Sequence, residues 1–215
     1  MSFFDINNVI FSISGYDICA LELLGFVTGF LAIYLAGQGN VLNFWIGLLN
    51  CAIYFAFFFQ ANLYSMMFLQ LIFFAINVFG IIKWAPLQSI TKKIKITKLS
   101  PMIFFLGIIL TIFVGFLWGH AVEFFAQRFP NFVQKPTYPI LDAILLMSNV
   151  FGQLLLAMKK IENWIVWIVV DVISIVLWLI LDMNLTAVLY LLYLIIAIDA
   201  LRKWYKQMNL ECNNK

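Results

Sequence analysis

Seven runs of apolar residues, each close to the ~20 residues that a bilayer-crossing helix needs, constrain this 215-residue chain more than any motif in it. They cover residues 21–36, 44–59, 63–82, 102–119, 140–158, 164–181 and 185–201. The chain is 65% apolar and only 11% charged, and its mean hydropathy is +1.01. A water-soluble domain of this size has too little core to hide so much apolar surface. Open strands would leave backbone groups unpaired in lipid, so the spans are expected to be helices. The expected fold class is therefore an all-α integral membrane protein with seven transmembrane helices.

The same composition excludes other classes. Disorder needs low hydrophobicity, and nucleic-acid binding needs a stronger basic field than a net charge of +3 supplies. Cys19, Cys51 and Cys212 have neither disulfide-framework nor zinc-site spacing. The single histidine, His120, is read as lying in a loop beyond the fourth span, so a His-based triad or metal cluster has little to be built from. No catalytic pair and no phosphate-binding loop is visible, so neither an enzyme nor a self-contained ATP-driven pump is indicated, and no cofactor is expected. Residues 1–10 carry Asp5 and no Lys or Arg, unlike a cleaved leader.

Basic residues orient the spans. Threading seven crossings puts eleven (Lys83, Lys92, Lys93, Lys95, Lys98, Lys159, Lys160, Arg202, Lys203, Lys206 and Lys215) on one side, and leaves two, Arg128 and Lys135, on the other. The positive-inside rule makes the first side cytoplasmic. The N-terminus is then outside and the C-terminus inside, with Asp5, Asp17, Glu22, Glu123 and Asp182 on the outer side.

The chain also resembles itself at a shift of 120 residues. Glu22 and Asp142, Asn43 and Asn163, and the pairs Lys83-Trp84 and Lys203-Trp204 all stand 120 apart, framing corresponding spans. Spans one to three thus repeat as spans five to seven, with span four as linker. Three spans plus one make an even number, so both repeats start on the same side and are parallel. The expected organisation is an outer N-terminal segment (1–20), a first three-helix repeat (21–85), a linker with the fourth helix and an outer loop (86–139), a second repeat (140–205) and a cytoplasmic tail (206–215). Pro130, Pro136 and Pro139 break helix in the outer loop. Transporters built from such repeats hold their substrate near the midplane between them.

Polar groups inside a bilayer are costly and ask for a reason. On span six, Trp164, Trp167, Asp171, Ser174 and Trp178 follow at steps of three and four and form one stripe. A carboxylate flanked by aromatic rings suits a flat, positively charged ligand, because stacking, cation–π and Coulomb attraction act together. Span two offers Trp45, Gly47, Asn50 and Tyr54; span three, Gln70 and Asn77; span five, Asp142, Asn149 and Gln153. Span seven adds Tyr190, Tyr193 and Asp199. The candidate substrate-binding residues are Trp45, Asn50, Tyr54, Gln70, Asn77, Asn149, Gln153, Trp164, Trp167, Asp171, Ser174 and Trp178. Competing structural roles exist: Asn50 as interhelical glue, Asp142 as a helix cap, Asp199 as the partner of Arg202 or Lys203, and Trp84, Trp204 and equally Trp164 as interfacial belt residues. The implied cavity has amides, rings and acids but no base at depth, so a neutral or cationic solute is favoured over a phosphorylated one.

The chain resembles the PnuC-type vitamin transporters, which take up nicotinamide riboside. Gly47, Asn50 and Tyr54, then Leu63-Tyr64, Leu69-Gln70 and Lys83-Trp84 carry the resemblance in the first half. Tyr138-Pro139, Asp142, and the run from Glu162-Asn163-Trp164 through Trp167 to Asp171 and Ser174 carry it in the second. The resemblance covers essentially the whole chain. It implies a 3+1+3 fold like a SWEET-type sugar transporter, a homotrimer, and the inner membrane of a bacterium. It also implies facilitated diffusion of nicotinamide riboside into the cytoplasm, drawn by a cytoplasmic kinase that phosphorylates the vitamin. That ligand is a pyridinium with a carboxamide and a ribose, which fits Trp167 and Trp178 against the ring, Asp171 at the charge, and Gln70, Asn77 and Gln153 at the polar groups. Thiamine, or another cationic aromatic vitamin, is the alternative cargo, and a small-solute channel is the alternative of a different class.

Overall fold

In a computed structural model, which describes residues 4–13, 16–61, 63–91, 95–130 and 137–213, a short hairpin leads into seven helices. The hairpin pairs β1 (Val9–Ile13) with β2 (Tyr16–Cys19) in antiparallel register, with a bulge between Val9 and Phe11. The helices are α1 (Ala20–Gly37), α2 (Leu42–Gln60), α3 (Tyr64–Thr91), α4 (Pro101–Arg128), α5 (Pro139–Ala157), α6 (Glu162–Ile180) and α7 (Asn184–Asn213). Among the described residues, α1, α2, Met66–Ala85 of α3, α4, α5 and α6 are long and apolar enough to cross a bilayer. The seventh expected run, 185–201, lies in the first half of α7. The hairpin lies in the outer segment 1–20 and adds two short strands to the all-α fold expected. Lys92, Lys93, Lys135, Pro136 and Lys215 lie outside the described residues.

Helix ends follow local chemistry. Ser100 caps α4, its hydroxyl accepting from the Ile103 amide at 3.3 Å, and Pro101 occupies the first turn, where its missing N–H costs nothing. Pro139 opens α5 in the same way. The fourth helix runs nine residues past its apolar stretch, so His120 is helical rather than in a loop. It is exposed and lies edge-on to Phe116, with the ring centres 4.4 Å apart.

The helices close into a ring. α1 packs on α2, α2 on α3, α3 on α5, α5 on α6, α6 on α7 and α7 back on α1. α4 stands outside this ring against α5. There Gly115 and Gly119 let the two backbones approach: a Cβ on either would lie 2.7 Å from the Cα of Ile144 or Ile140. The opposite side of α4 exposes Leu106, Leu110, Phe113 and Leu117, as a lipid-facing helix should.

The turns α1–α2 and α5–α6 share their main backbone bonds at the 120-residue shift. Gly39 and Lys159 both take left-handed φ values, 66° and 61°. Gly39 and Asn40 amides donate to Ala36 and Leu35 carbonyls, while Lys159 and Lys160 amides donate to Leu156 and Leu155. Asn43 and Asn163 then each donate Nδ2 at 2.6 Å to the carbonyl three residues back, Asn40 and Lys160. Both turns thus end a helix in the double-bonded αL motif that shields its last carbonyls.

This lysine-bearing end of the bundle holds the largest fully buried side chains among the described residues. Phe44, Trp84, Trp164 and Trp204 are all at most 1% exposed and cluster with Ala36, Leu156, Ala157, Ile161, Ala197 and Ala200. Trp84 and Trp204 are therefore core residues, not interfacial belt residues: their rings meet at 6.1 Å, and helix surfaces cover them on all sides. The α3–α4 connection is clipped onto the second turn. Thr97 exchanges backbone hydrogen bonds with Lys159 and Ile161, the Leu99 amide donates to Glu162 Oε1 at 2.9 Å, and Ile96 is buried in the cluster. Lys159 donates to the Lys83 carbonyl at 2.8 Å, and burial beside Lys83 holds its ammonium below the usual lysine range. Asp199 pairs with Lys203, one of the two partners expected.

Candidate substrate-binding site

The ring of helices encloses a cavity of about 350 Å³, within the range of small-molecule sites. Its wall draws on all six ring helices: Gly29 to Ala36 of α1, Asn43 to Phe58 of α2, Gln70 to Asn77 of α3, Leu146 to Leu156 of α5, Trp167 and Asp171 of α6, and Tyr190 to Ala197 of α7. No Lys, Arg or His is among the lining residues.

Of the twelve candidate residues, eight line this cavity: Asn50, Tyr54, Gln70, Asn77, Asn149, Gln153, Trp167 and Asp171. Asp171 is 7% exposed, a carboxylate brought to the cavity wall by a helix that beyond Asn163 is otherwise Val, Ile, Leu and Trp with one Ser. Trp167 stands one turn earlier on the same face, and its indole lies flat on the space left by Gly152, where a Cβ would lie 2.6 Å from Nε1.

The amides are held by their own hydrogen bonds. Asn50 donates to the Gly25 carbonyl at 2.7 Å and to Thr28 Oγ1 at 2.9 Å, so it binds α2 to α1 while also lining the cavity. Asn77 donates to the Phe73 carbonyl at 2.9 Å and weakly to Cys51 Sγ at 3.6 Å. Its Oδ1 accepts from Gln153 Nε2 at 3.0 Å, a polar link between α3 and α5. Gly47 makes room for the Asn77 amide: a Cβ there would be 2.6 Å from Oδ1. Asn149 donates to the Leu145 carbonyl at 3.0 Å. The donors of Asn50, Asn77, Asn149 and Gln153 are thus engaged within the protein, on backbone and side-chain acceptors, which leaves amide oxygens as acceptors for a ligand.

The other four candidates lie outside the wall. Trp45 is 55% exposed; it stands two residues from Gly47, about 200° around the helix, and so points outward. Trp164 is wholly buried beneath the cavity, edge-on to Trp167 at 5.2 Å. Ser174 and Trp178 lie one and two turns beyond Asp171, and the Trp178 ring stands 6.4 Å from that of Tyr190. Tyr190 and Tyr193, both lining the cavity, were visible as polar aromatics on span seven but not singled out; their rings meet edge-to-face at 5.9 Å. Asp142 sits in the first turn of α5, with Tyr138 rather than itself at the cap.

The arrangement offers a flat aromatic and tyrosine-rich surface, one carboxylate, and amide acceptors from both halves of the chain. It has the means to hold a cationic ring and to hydrogen-bond hydroxyl or amide groups on it.

The nicotinamide mononucleotide transporter family matches residues 19–206. The chain is 28% identical, over 225 aligned positions, to the nicotinamide riboside transporter PnuC of Escherichia coli (strain K12), covering 95% of this chain and 94% of that protein. The PnuC of Neisseria mucosa is 24% identical over 161 positions, 71% of this chain and 57% of that one. A crystal structure of the vitamin B3 transporter PnuC shares the fold with a TM-score of 0.66 at 21% identity, covering 88% of this chain and 82% of that one.

Proposed function

The chain belongs to the nicotinamide mononucleotide transporter family, bacterial multi-pass membrane proteins of the PnuC type and not enzymes, and from that premise we propose that its cargo is nicotinamide riboside. The observation that carries this reading is the make-up of the cavity: Asp171 and Trp167 on one wall, amides on the facing walls, and no basic side chain among the lining residues. A pyridinium ring finds a counter-charge and stacking surfaces there. The mononucleotide in the family's name carries a phosphate, for which this wall has no cationic partner.

In this reading the substrate is held by Asn50, Tyr54, Gln70, Asn77, Asn149, Gln153, Trp167 and Asp171, with Ser174 and Trp178 continuing the Asp171 stripe beyond it. Transport is facilitated diffusion, and a cytoplasmic kinase keeps the gradient inward by phosphorylating what has entered. The protein sits in the bacterial inner membrane with its N-terminus outside and its C-terminus in the cytoplasm, so the lysine-bearing end faces inward. Its helices form two parallel three-helix repeats, 21–85 and 140–205, joined through 86–139 in the SWEET-like 3+1+3 manner, and three copies assemble. The six-helix ring with α4 outside it, and the matched turns around Gly39 and Lys159, support the repeat.

The test is calorimetric titration of the detergent-purified protein with nicotinamide riboside, its mononucleotide and thiamine. Saturable heat with the riboside alone is expected. Heat with thiamine alone overturns the cargo, and heat with the mononucleotide overturns the charge argument.

A further inference from the structure

The cavity ends, toward the lysine-bearing side, on four aromatic rings that the two halves of the chain supply in equivalent pairs. Phe44 and Trp164 stand 120 residues apart in sequence, and so do Trp84 and Trp204. Phe44 meets Trp84 edge-on at 4.9 Å and 90°; Trp164 meets Trp204 edge-on at 5.6 Å and 83°. The two pairs join through Trp84 and Trp204 at 6.1 Å. Ala36 and Leu156 belong both to the cavity wall and to this cluster, so the rings lie immediately below the cavity floor.

The seam between the pairs is made of small residues and few hydrogen bonds. A Cβ on Gly37 of α1 would lie 3.0 Å from the Cβ of Ala200 of α7. Two side-chain bonds latch the halves here: Trp84 Nε1 donates to the Ala157 carbonyl at 3.1 Å from within the cluster, and Lys159 donates to the Lys83 carbonyl at 2.8 Å at its edge. At the 120-residue shift the counterpart of the Trp84 bond would run from Trp204 to the Gly37 carbonyl, yet Trp204 Nε1 has no partner, and neither have Trp164 Nε1 and Asn163 Oδ1. Buried donors and acceptors left unmade weigh against the closed arrangement, whereas ring faces and alanine contacts part without breaking hydrogen bonds. A plug that is apolar, tightly packed and made with only one of its two equivalent tryptophan latches is suited to opening.

We propose that Phe44, Trp84, Trp164 and Trp204 form the cytoplasmic gate of the transport path, closed in this structure, and that it opens when the pair 44/84 separates from the pair 164/204. This rests on the reading of the chain as a transporter with its lysine-bearing end inward, and not on the identity of the cargo. The four rings are positioning residues, since none of them lines the cavity.

Two measurements test it. The first uses a chain with Cys19, Cys51 and Cys212 replaced by serine and Ala32→Cys introduced in the cavity wall. In inside-out vesicles, a membrane-impermeant methanethiosulfonate reagent is expected to modify that cysteine about tenfold faster when Trp84→Ala or Trp204→Ala is added, because the loss of an aromatic pair and its burial shifts a closed–open balance by at least that factor. Trp84→Phe, which keeps a ring and removes the latch donor, gives a smaller rise. Unchanged rates in folded, membrane-inserted variants overturn the gate. The second uses Gly37→Cys with Ala200→Cys in the same background, where a shift of about 0.5 Å brings the Cβ atoms to disulfide distance. Oxidised protein should bind riboside and fail to transport it, and reductant should restore uptake. Uptake that persists through the crosslink overturns the proposal. The labelling measurement needs no substrate, so a rise there supports the gate even if riboside fails to bind, a failure that falls on the cargo alone.

Discussion

At the scale of single residues, Asp171 is the side chain on which most depends. It is a lone carboxylate on the wall of a cavity with no basic lining residue, so its charge is available to a ligand. Asp171→Asn keeps shape and hydrogen-bonding capacity and removes only the charge. It is expected to weaken riboside binding by tenfold or more, about 1.4 kcal/mol or above, in calorimetric titration, while the protein still folds and inserts. Trp167→Ala should weaken it by a similar factor through the lost stacking surface. The three-and-four spacing on α6 was enough to bring Trp167 and Asp171 to one face. That spacing fixes direction around a helix but not depth along the path, which is why Trp164 and Trp178 share the stripe and miss the cavity. Trp45 failed for the opposite reason, lying on the wrong side of α2. Tyrosines in a leucine-rich helix, Tyr190 and Tyr193, carry little signal of their own until α6 is seen to face them.

At the scale of elements, apolar runs located α1, α2, α5 and α6 to within about two residues at each end. They fell short on α3, α4 and α7, whose helices continue past the apolar stretch by nine to twelve residues. Hydropathy records where a helix meets lipid, whereas the helix itself ends where its backbone bonds do. The hairpin β1–β2 escaped notice because nine strand residues among Asn and Ser give no clear two-residue alternation. The turns make a sharper prediction. Gly39 takes φ 66°, and Lys159 shows that a non-glycine residue can occupy the equivalent place. Gly39→Asn should be nearly neutral, because Asn tolerates that region, while Gly39→Val should lower stability by about 1–2 kcal/mol. Thermal unfolding in one detergent reads both. On the outer helix, Gly119→Ile drives a branched side chain into the Ile140 backbone and should cost about 1–3 kcal/mol by the same assay, with α4 loosened from α5.

At the scale of the whole molecule, the 120-residue self-resemblance was legible in Asn43/Asn163 and in the two Lys-Trp pairs before any coordinates. What it could not reveal is that those Trp residues pack against one another in the core, because an indole next to lysine reads equally as a membrane-edge anchor. The bias of eleven basic residues to two still makes the molecule's orientation testable. In cells, a cysteine placed at Lys206 should be reached by an impermeant reagent only after the membrane is opened, and one placed at Tyr138 should be reached in intact cells. The reverse pattern would turn the molecule over. The clip at Thr97 has a consequence of another kind. The stretch from Ile96 to Leu99 is bonded to Lys159, Ile161 and Glu162, so although it follows α3 in the chain it belongs physically with α5 and α6. Assembly is then expected to survive a break in the chain between residues 91 and 95. Two separately translated polypeptides, one ending there and one beginning there, should find each other in the membrane and restore uptake, whereas a division placed after Leu99 should not.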